Sequence, residues 1–307
     1  MESPSQSTSS CITCGGNGYL RERRGDRAAA RLCDCSRVCP ICGGRGHAYQ
    51  TRAETFSVKV GPRSYEVLVP CSCRLLRRRL ELFSQAQVPG VLSKADFGSF
   101  LSSSAAQDRA LKMARGFALG YAAAQPRKGF VISGPVGTGK THLLAAALAH
   151  LTLELGVAAC YVEISLLYAT IRRGFQEGKS GGEIIGPLSQ VEVLAIDELG
   201  KGRGSPFELE TLDELIARRY NAGKTTLFAT NYSLAPRAQT VRAAAGYRST
   251  EELQAAREPE LLRERVGERI YSRLCEMCDF IELPPDTPDR RYTKHELEVG
   301  NARGRSR

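Results

Sequence analysis

The chain has 307 residues, of which 42% are hydrophobic and 7% aromatic, and its formal net charge is +10. It contains no run of about 18 apolar residues, which excludes a membrane-spanning helix. The excess of Lys and Arg favours an acidic partner such as nucleic acid.

The first ten residues, MESPSQSTSS, lack the basic start and the apolar stretch of a signal peptide. They predict a disordered tail on a cytoplasmic protein. Thiols stay reduced in that compartment, so clustered cysteines there bind metal more often than they form disulfides.

Cysteines are concentrated near the amino terminus. Eight of the eleven form four closely spaced pairs, which are Cys11/Cys14, Cys33/Cys35, Cys39/Cys42 and Cys71/Cys73. Eight thiolate ligands suit two four-coordinate Zn²⁺ ions, and such closed sites are structural. Each CxxC pair can combine with the CxC pair that follows it, or the first pair can combine with the last in a nested arrangement.

Zinc changes the charge of this region, because bound thiols are deprotonated. Residues 1–90 carry 14 Lys/Arg and 7 Asp/Glu. With two occupied sites their net charge falls from +7 to about +3. That mild charge favours docking to a protein, except at Arg74-Leu-Leu-Arg-Arg-Arg79, where phosphates or an acidic partner are the predicted contacts. Cys160, Cys275 and Cys278 are interpreted as core residues.

Beyond this region, short apolar runs alternate with longer amphipathic ones, which predicts an α/β fold with a parallel sheet. The predicted strands are Gly129–Ser133, Ala159–Ile164, Val191–Ile196, Thr225–Thr230 and Asp279–Leu283. The predicted helices are Ser104–Ala124, Thr141–Leu155, Ser165–Gln176, Glu208–Asn221 and Pro259–Cys278, and Ser233–Glu258 is interpreted as a surface excursion.

These patterns divide the chain into five parts. They are a tail (1–10), a cysteine-rich module (11–75), a connector (76–103), an α/β domain (104–288) and a basic flexible tail (289–307).

The segment from Gly134 to Thr141 reads GPVGTGKT, which matches GxxxxGK[ST] between a predicted strand and a predicted helix. In such a P-loop, backbone N–H groups and the helix start face phosphate oxygens. Lys140 would reach the β- and γ-phosphates, and Thr141 would bind Mg²⁺. The predicted nucleotide-binding residues are Gly134, Pro135, Val136, Gly137, Thr138, Gly139, Lys140, Thr141 and His142.

Two acids follow the apolar strand VEVLAI, and a third polar residue follows the strand TTLFAT. Asp197 is predicted to hold Mg²⁺ through water, and Glu198 to orient and deprotonate the attacking water. Asn231 is predicted to hold that water near the γ-phosphate.

The segment Gly267-Glu-Arg-Ile-Tyr-Ser-Arg-Leu274 places Arg269 and Arg273 four residues apart, on one face of a helix. An arginine there could reach the γ-phosphate bound to a neighbouring subunit and stabilise the transition state.

The segments KADFGSF, GPVGTGKTHLLAA, VLAIDELG, LIARRYNAGKTTLFATN and GERIYSRL resemble those of the AAA+ ATPases of the DnaC/DnaI helicase-loader type and of the related IstB transposition ATPases. This resemblance implies a three-layer P-loop fold without a full helical lid, and a sensor role for Asn231. It also implies an arginine-finger role for Arg273, with Arg269 as its companion.

By that resemblance the leading hypothesis is an ATP-dependent loader that assembles with copies of itself. Its partners would be single-stranded DNA and a DnaB-type replicative helicase, which the zinc module would hold. The alternatives are an IstB-like regulator of transposition and a zinc-dependent protein adaptor with a slow ATPase switch. Oligomer size and the preference for single or double strands stay open.

Overall fold

The computed structural model describes residues 11–55, 62–121, 128–234 and 260–291. Within these ranges the strands are β1 (Tyr19–Arg24), β2 (Arg27–Leu32), β3 (His47–Thr55), β4 (Pro62–Pro70), β5 (Gly129–Ser133), β6 (Ala159–Glu163), β7 (Val193–Asp197), β8 (Thr225–Thr230) and β9 (Cys278–Glu282). The α-helices are α1 (Ser72–Gln85), α2 (Ala105–Leu119), α3 (Lys140–Ala149), α4 (Ile164–Gln176), α5 (Gly181–Gln190), α6 (Pro206–Asn221), α7 (Leu262–Val266) and α8 (Glu268–Met277).

Five parallel strands form the central sheet, in the order β6-β7-β8-β5-β9. Strands β5, β7 and β8 are buried along their whole length. They are rich in Val, Ile, Leu and Phe, as expected when helices cover both faces of a sheet.

Two hydrophobic clusters lie on opposite faces of this sheet. One joins α1, α2 and α3 to residues such as Ile132 and Leu227, and the other joins α4, α6 and α8 to residues such as Val131 and Phe228. Alternate residues of one strand therefore enter different clusters, which produces three layers. The predicted α/β fold of the P-loop type is confirmed. None of the described helices has the length and apolar character needed to cross a membrane.

The structure corrects the predicted helix Pro259–Cys278. Gly267 has φ 81°, separates α7 from α8, and leaves Cys278 in β9. Helix α5 was not predicted, because its Gly and Pro residues weaken the helical pattern. The tail 1–10, most of the segment Ser233–Glu258, and residues 292–307 of the basic tail lie outside the described residues.

The predicted boundary at residue 75 falls inside α1, a 14-residue helix. Leu80 and Phe83 of this helix are buried in the same cluster as α3. The backbone N–H of Tyr161 in β6 donates to the carbonyl of Ala86 at 2.7 Å. The segment 76–103 is thus packed against the ATPase core along α1.

Candidate nucleotide-binding and metal sites

The P-loop connects β5 to α3, and its tight curve depends on glycine. Gly137 and Gly139 have φ values of 79° and 99°, a region that residues with a side chain rarely adopt. A Cβ atom on Gly139 would lie 2.6 Å from the ring of Phe100. The guanidinium of Arg290 lies over that ring, 4.1 Å from its centroid, and the backbone N–H of Arg290 donates to the carbonyl of Gly137. Segments before and after the core therefore both contact the loop.

Lys140 begins α3 and is buried. Its ammonium donates to the carbonyls of Gly134 at 2.7 Å and Pro135 at 2.6 Å. Burial lowers the pKa of Lys140 to about 8, although Asp197 and Glu198 oppose that shift. The two acids therefore lie close enough to Lys140 to share one electrostatic site with it.

Asp197 ends β7 and is only 4% exposed. One carboxylate oxygen accepts a hydrogen bond from the hydroxyl of Tyr161 at 2.8 Å, and the other accepts from the N–H of Glu198 at 2.9 Å. Burial and the adjacent carboxylate raise the pKa of Tyr161, so the phenol stays neutral and donates. These two bonds orient Asp197. The sequence analysis missed Tyr161, which stands two residues before the end of the neighbouring strand.

Glu198 adopts φ 56°, an uncommon value for a residue with a side chain. Its carboxylate contacts the ammonium of Lys201, which also lies 3.5 Å from Glu163 at the end of β6. The hydrogen bond to Glu198 raises the pKa of Lys201. The predicted base is thus paired with a cation that the sequence analysis did not consider. The three-residue spacing between Glu198 and Lys201 was the feature of the sequence from which this pairing could have been predicted.

Asn231 directly follows β8 and is exposed. The strand end is held to the loop after Glu198, because the Thr230 hydroxyl donates to the carbonyl of Leu199 at 2.7 Å. Since β7 and β8 are neighbours, Asn231 and Glu198 stand at the same edge of the sheet.

Arg265 of α7 also holds this edge, and the sequence analysis missed it. Its guanidinium donates to the carbonyls of Gly200 at 3.1 Å and Gly202 at 2.6 Å, and lies 5.1 Å from the ring centroid of Tyr232. Arg265 therefore links the loop that carries Lys201 to the residue after Asn231.

Arg269 and Arg273 share one partner, Asp213 of α6. Arg273 is 20% exposed and lies 2.6 Å from that carboxylate, whereas Arg269 is 76% exposed and lies 3.6 Å away. Both side chains project from one face of α8, and Arg269 is the more accessible of the two.

The eight amino-terminal cysteines form two groups in chain order. Within each group all four sulfur atoms lie within 4.8 Å of one another, and the groups are Cys11/Cys14/Cys33/Cys35 and Cys39/Cys42/Cys71/Cys73. Of the two pairings that the sequence left open, the structure thus has the sequential one.

The donor set fits zinc. A tetrahedral site with Zn–S bonds of about 2.3 Å places its sulfur atoms about 3.8 Å apart. The measured Sγ–Sγ distances across the pairs are 3.9 and 3.5 Å in the first group and 3.6 and 3.4 Å in the second. The N–H groups of Gly18 and Gly46 each donate to a sulfur at 3.3 Å. Backbone N–H groups of Cys14 and Thr13 lower the pKa of Cys11 to about 6, which favours the thiolate that zinc requires.

Residues 71–245 match the family described as IstB-like ATP binding protein. The chain is 30% identical over 106 residues to the replicative helicase loader DnaC of Escherichia coli, a match that covers 34% of this chain and 43% of that protein. It is 25% identical over 182 residues to the phage-like element PBSX protein XkdC of Bacillus subtilis, which covers 55% of this chain and 66% of that protein. The chain thus spans less than half of the DnaC relative.

Among solved structures, the crystal structure of the DnaC helicase loader is similar, with a TM-score of 0.51 and 26% identity. That match covers 63% of this chain and 99% of that one. These matches confirm the resemblance that the sequence motifs indicate.

Proposed function

This chain belongs to the IstB-like ATP-binding protein family, and we propose that it hydrolyses ATP to load a replicative helicase onto DNA in the cytoplasm. The observation that carries the proposal is the grouping of Lys140, Asp197 and Glu198 at one end of the sheet, in a chain whose core resembles DnaC. A P-loop lysine, a magnesium-binding acid and a second acid are the groups that ATP hydrolysis requires.

In this proposal Lys140 exchanges its two carbonyl partners for the β- and γ-phosphates of ATP. Thr141 and Asp197 would hold Mg²⁺, and the bound ion would neutralise phosphate charge. The bond from Tyr161 keeps Asp197 aimed at that position. Asn231 steadies the attacking water beside Glu198, which accepts its proton.

The pairing of Glu198 with Lys201 controls when that proton can move. A carboxylate bound to an ammonium is a weaker base, because protonating it disrupts the ion pair. Turnover therefore requires Lys201 to turn toward Glu163, 3.5 Å away, or into solvent. Arg265 holds the carbonyls on both sides of Lys201 and positions its loop.

Kinetics of three variants test this assignment. Glu198→Gln is expected to bind ATP normally and to lose turnover by about 100-fold or more. Lys201→Met is expected to raise basal turnover, since no ammonium then has to leave the Glu198 carboxylate before it accepts a proton. Lys201→Arg, which keeps the charge, is the matched control. Near-normal turnover in Glu198→Gln removes Glu198 as the base.

A neighbouring copy completes the site in this proposal. Arg269 is the exposed member of the arginine pair, while Asp213 holds Arg273 within its own chain. The finger role predicted for Arg273 therefore requires release from Asp213 when copies assemble. Mixing an Arg273→Ala chain with a Lys140→Ala chain should restore turnover, because each supplies what the other lacks. Absence of rescue argues against a shared site.

The loading function is tested by native mass spectrometry of the chain with the replicative helicase of its own organism, with and without ATP. The expected result is a complex of defined stoichiometry and transfer of the helicase to single-stranded DNA. Lys140→Ala should bind the helicase without ATP-dependent release. No complex under either condition contradicts the loader function.

The family match favours one alternative, an IstB-like regulator of transposition. That function predicts ATP-dependent assembly on double-stranded DNA and stimulation of a transposase. Measuring assembly on single- and double-stranded DNA with the same ATP concentration separates the two functions.

A further inference from the structure

The two cysteine groups belong to two similar units with different surroundings. The first unit is residues 11–35, in which β1 and β2 form a hairpin, and the second is residues 39–73, with the hairpin β3–β4. Ala28 of β2 is 1% exposed and lies in the hydrophobic cluster of the ATPase core. In the second unit, the buried cluster consists of Cys39, Cys42 and Cys71.

None of the described residues of the β3–β4 hairpin belongs to the two hydrophobic clusters of the central sheet. Each strand has nine residues, so the hairpin is about 30 Å long at about 3.4 Å per residue. In the part of the chain that the structure describes, β3 and β4 pair only with each other. One face of the hairpin carries His47 and Tyr49, with Leu68 directly opposite Tyr49. Tyr49 and Leu68 are 67% and 59% exposed.

Arginines of the two units differ in their contacts. In the first unit, Arg21 binds Asp96 at 2.6 Å, Arg31 binds Glu22 at 2.9 Å, and Arg27 donates to the carbonyl of Gln87 at 2.8 Å. In the second unit and the adjoining turns of α1, the exposed arginines are Arg45, Arg52, Arg74, Arg77 and Arg78. Among the side chains that the structure describes, no carboxylate oxygen lies within 4.0 Å of any of these five.

One of these arginines contacts the Tyr49 face, and three others lie within a few residues of that contact along the chain. Arg74 lies 3.1 Å from the ring of His47, and Arg77 and Arg78 follow it by one helical turn. Arg45 precedes His47 by two residues and bonds to the carbonyl of Cys42. We call Tyr49, Arg45, Arg74, Arg77 and Arg78 the arginine–tyrosine surface.

The charge of the chain is divided unevenly between the units. Residues 11–35 carry five arginines and three acids, whereas residues 36–79 carry nine Lys/Arg and two acids. An occupied four-thiolate zinc site contributes −2, which leaves the first unit near zero and the second near +5. The mild average charge of the whole module thus conceals one neutral half and one strongly basic half.

From these contacts we infer that the arginine–tyrosine surface binds single-stranded nucleic acid. Exposed guanidinium groups without an acidic partner suit phosphates, and an exposed aromatic ring on a strand is a platform on which a base can stack. An acidic protein segment would use the charge but has no need of a stacking ring. The inference deepens the proposed function, because it locates a DNA contact outside the ATPase core.

Fluorescence anisotropy with a labelled oligothymidylate of about 16 nucleotides tests the inference in the full chain, without ATP or helicase. The double variant Arg77→Glu/Arg78→Glu is expected to lower affinity at least tenfold. It should also reduce the slope of log K against log[salt] by about 0.7 for each lost phosphate contact. The matched control is Arg24→Glu, an exposed arginine of the first unit, which should change affinity less than twofold.

Tyr49 supplies a second readout. Tyr49→Ala is expected to weaken binding about tenfold without changing the salt slope, and Tyr49→Phe should restore it, because a ring is sufficient for stacking. Equal losses in Arg24→Glu and in the double variant would overturn the inference, since net charge alone would explain binding. Tighter binding of a duplex than of the oligothymidylate would also overturn it. So would a double variant that loses helicase binding while its affinity for DNA is unchanged. A chain that binds the oligonucleotide through this surface but does not load helicase contradicts only the loader function.

Discussion

The two cysteine units share the spacing within their ligand pairs and their glycine loops, yet among the described residues only those of the first enter the hydrophobic cluster of the α/β core. The difference lies in the side chains between the ligands. Strand β2 carries Ala28, Ala29 and Ala30, whose small size lets the strand approach α1, and the N–H of Ala30 donates to the hydroxyl of Ser84 at 3.0 Å. Strand β3 carries polar and aromatic residues and has no such partner.

One metal motif therefore serves two purposes in adjacent segments. In the first unit the cysteines fix a hairpin that forms part of the wall of the ATPase core. In the second they lie at the base of a hairpin whose described residues stay out of the core clusters. Two-stranded hairpins are marginally stable alone, so the second one depends on its cysteine site.

The strongest test of this difference removes one ligand from each unit. Cys14→Ser is expected to destabilise the whole ATPase core by about 4 kcal/mol or more, because the loss of a structural metal is among the largest single effects. Cys42→Ser should disorder only the β3–β4 hairpin. Zinc analysis and thermal unfolding measure both, and each variant should retain about one ion. Equal loss of core stability in the two variants contradicts the division.

A second test concerns the contact between the first unit and α1. Phe83 of α1 is 1% exposed and lies in the same hydrophobic cluster as Ala28 of the first unit. Phe83→Ala is therefore expected to cost about 3–5 kcal/mol in unfolding free energy. Leu68 of the second unit is 59% exposed, and Leu68→Ala should change stability by less than about 0.5 kcal/mol. Urea unfolding, followed with one spectroscopic probe in the core, measures the unfolding free energy of both variants. A costly Leu68→Ala would show that the second hairpin packs on the core.

A smaller effect is expected at the link between the first unit and the P-loop helix. Arg21 binds Asp96 at 2.6 Å, and the carbonyl of Asp96 lies 2.9 Å from the ring of His142 in α3. Asp96→Ala is expected to cost about 1 kcal/mol and to weaken ATP binding a few-fold. Asp34→Ala, which removes an exposed acid of the first unit, is the control. Unchanged ATP affinity in Asp96→Ala would separate the first unit from the nucleotide site.

The smallest expected effect is the pH dependence of the Arg21–Asp96 ion pair. Partial burial opposes the shift, but the Arg21 guanidinium and the donors of Ser99 lower the pKa of Asp96 below its ordinary 3.8. Its contribution is therefore complete above that ordinary value and is lost as pH falls through the lowered one. Stability of wild type and Asp96→Asn should converge as pH falls well below 3.8. A constant difference between them down to that pH contradicts an ionic link.

Much of the nucleotide site was predictable, because its chemistry follows short segments of chain. GPVGTGKT specifies a loop and a helix start at once, and the pair Asp197-Glu198 follows an apolar strand. Tyr161 and Arg265 were not predicted, because each acts on a residue that comes close only when the strands are ordered. Lys201 lies three residues from Glu198, and that local spacing was not used. Tyr161 is 36 residues from Asp197, and Arg265 is 65 residues from Gly200.

The sequence by itself determined the fold class, the P-loop motif and the eight clustered cysteines, since periodicity and motif spacing are local properties of the chain. Only the tertiary structure decided the cysteine grouping, the different packing of the two units, and the partner of Asp197. These depend on which surfaces meet after folding. Two segments of similar local pattern differ in what they contact because packing responds to side-chain size and charge, which the shared motif leaves free.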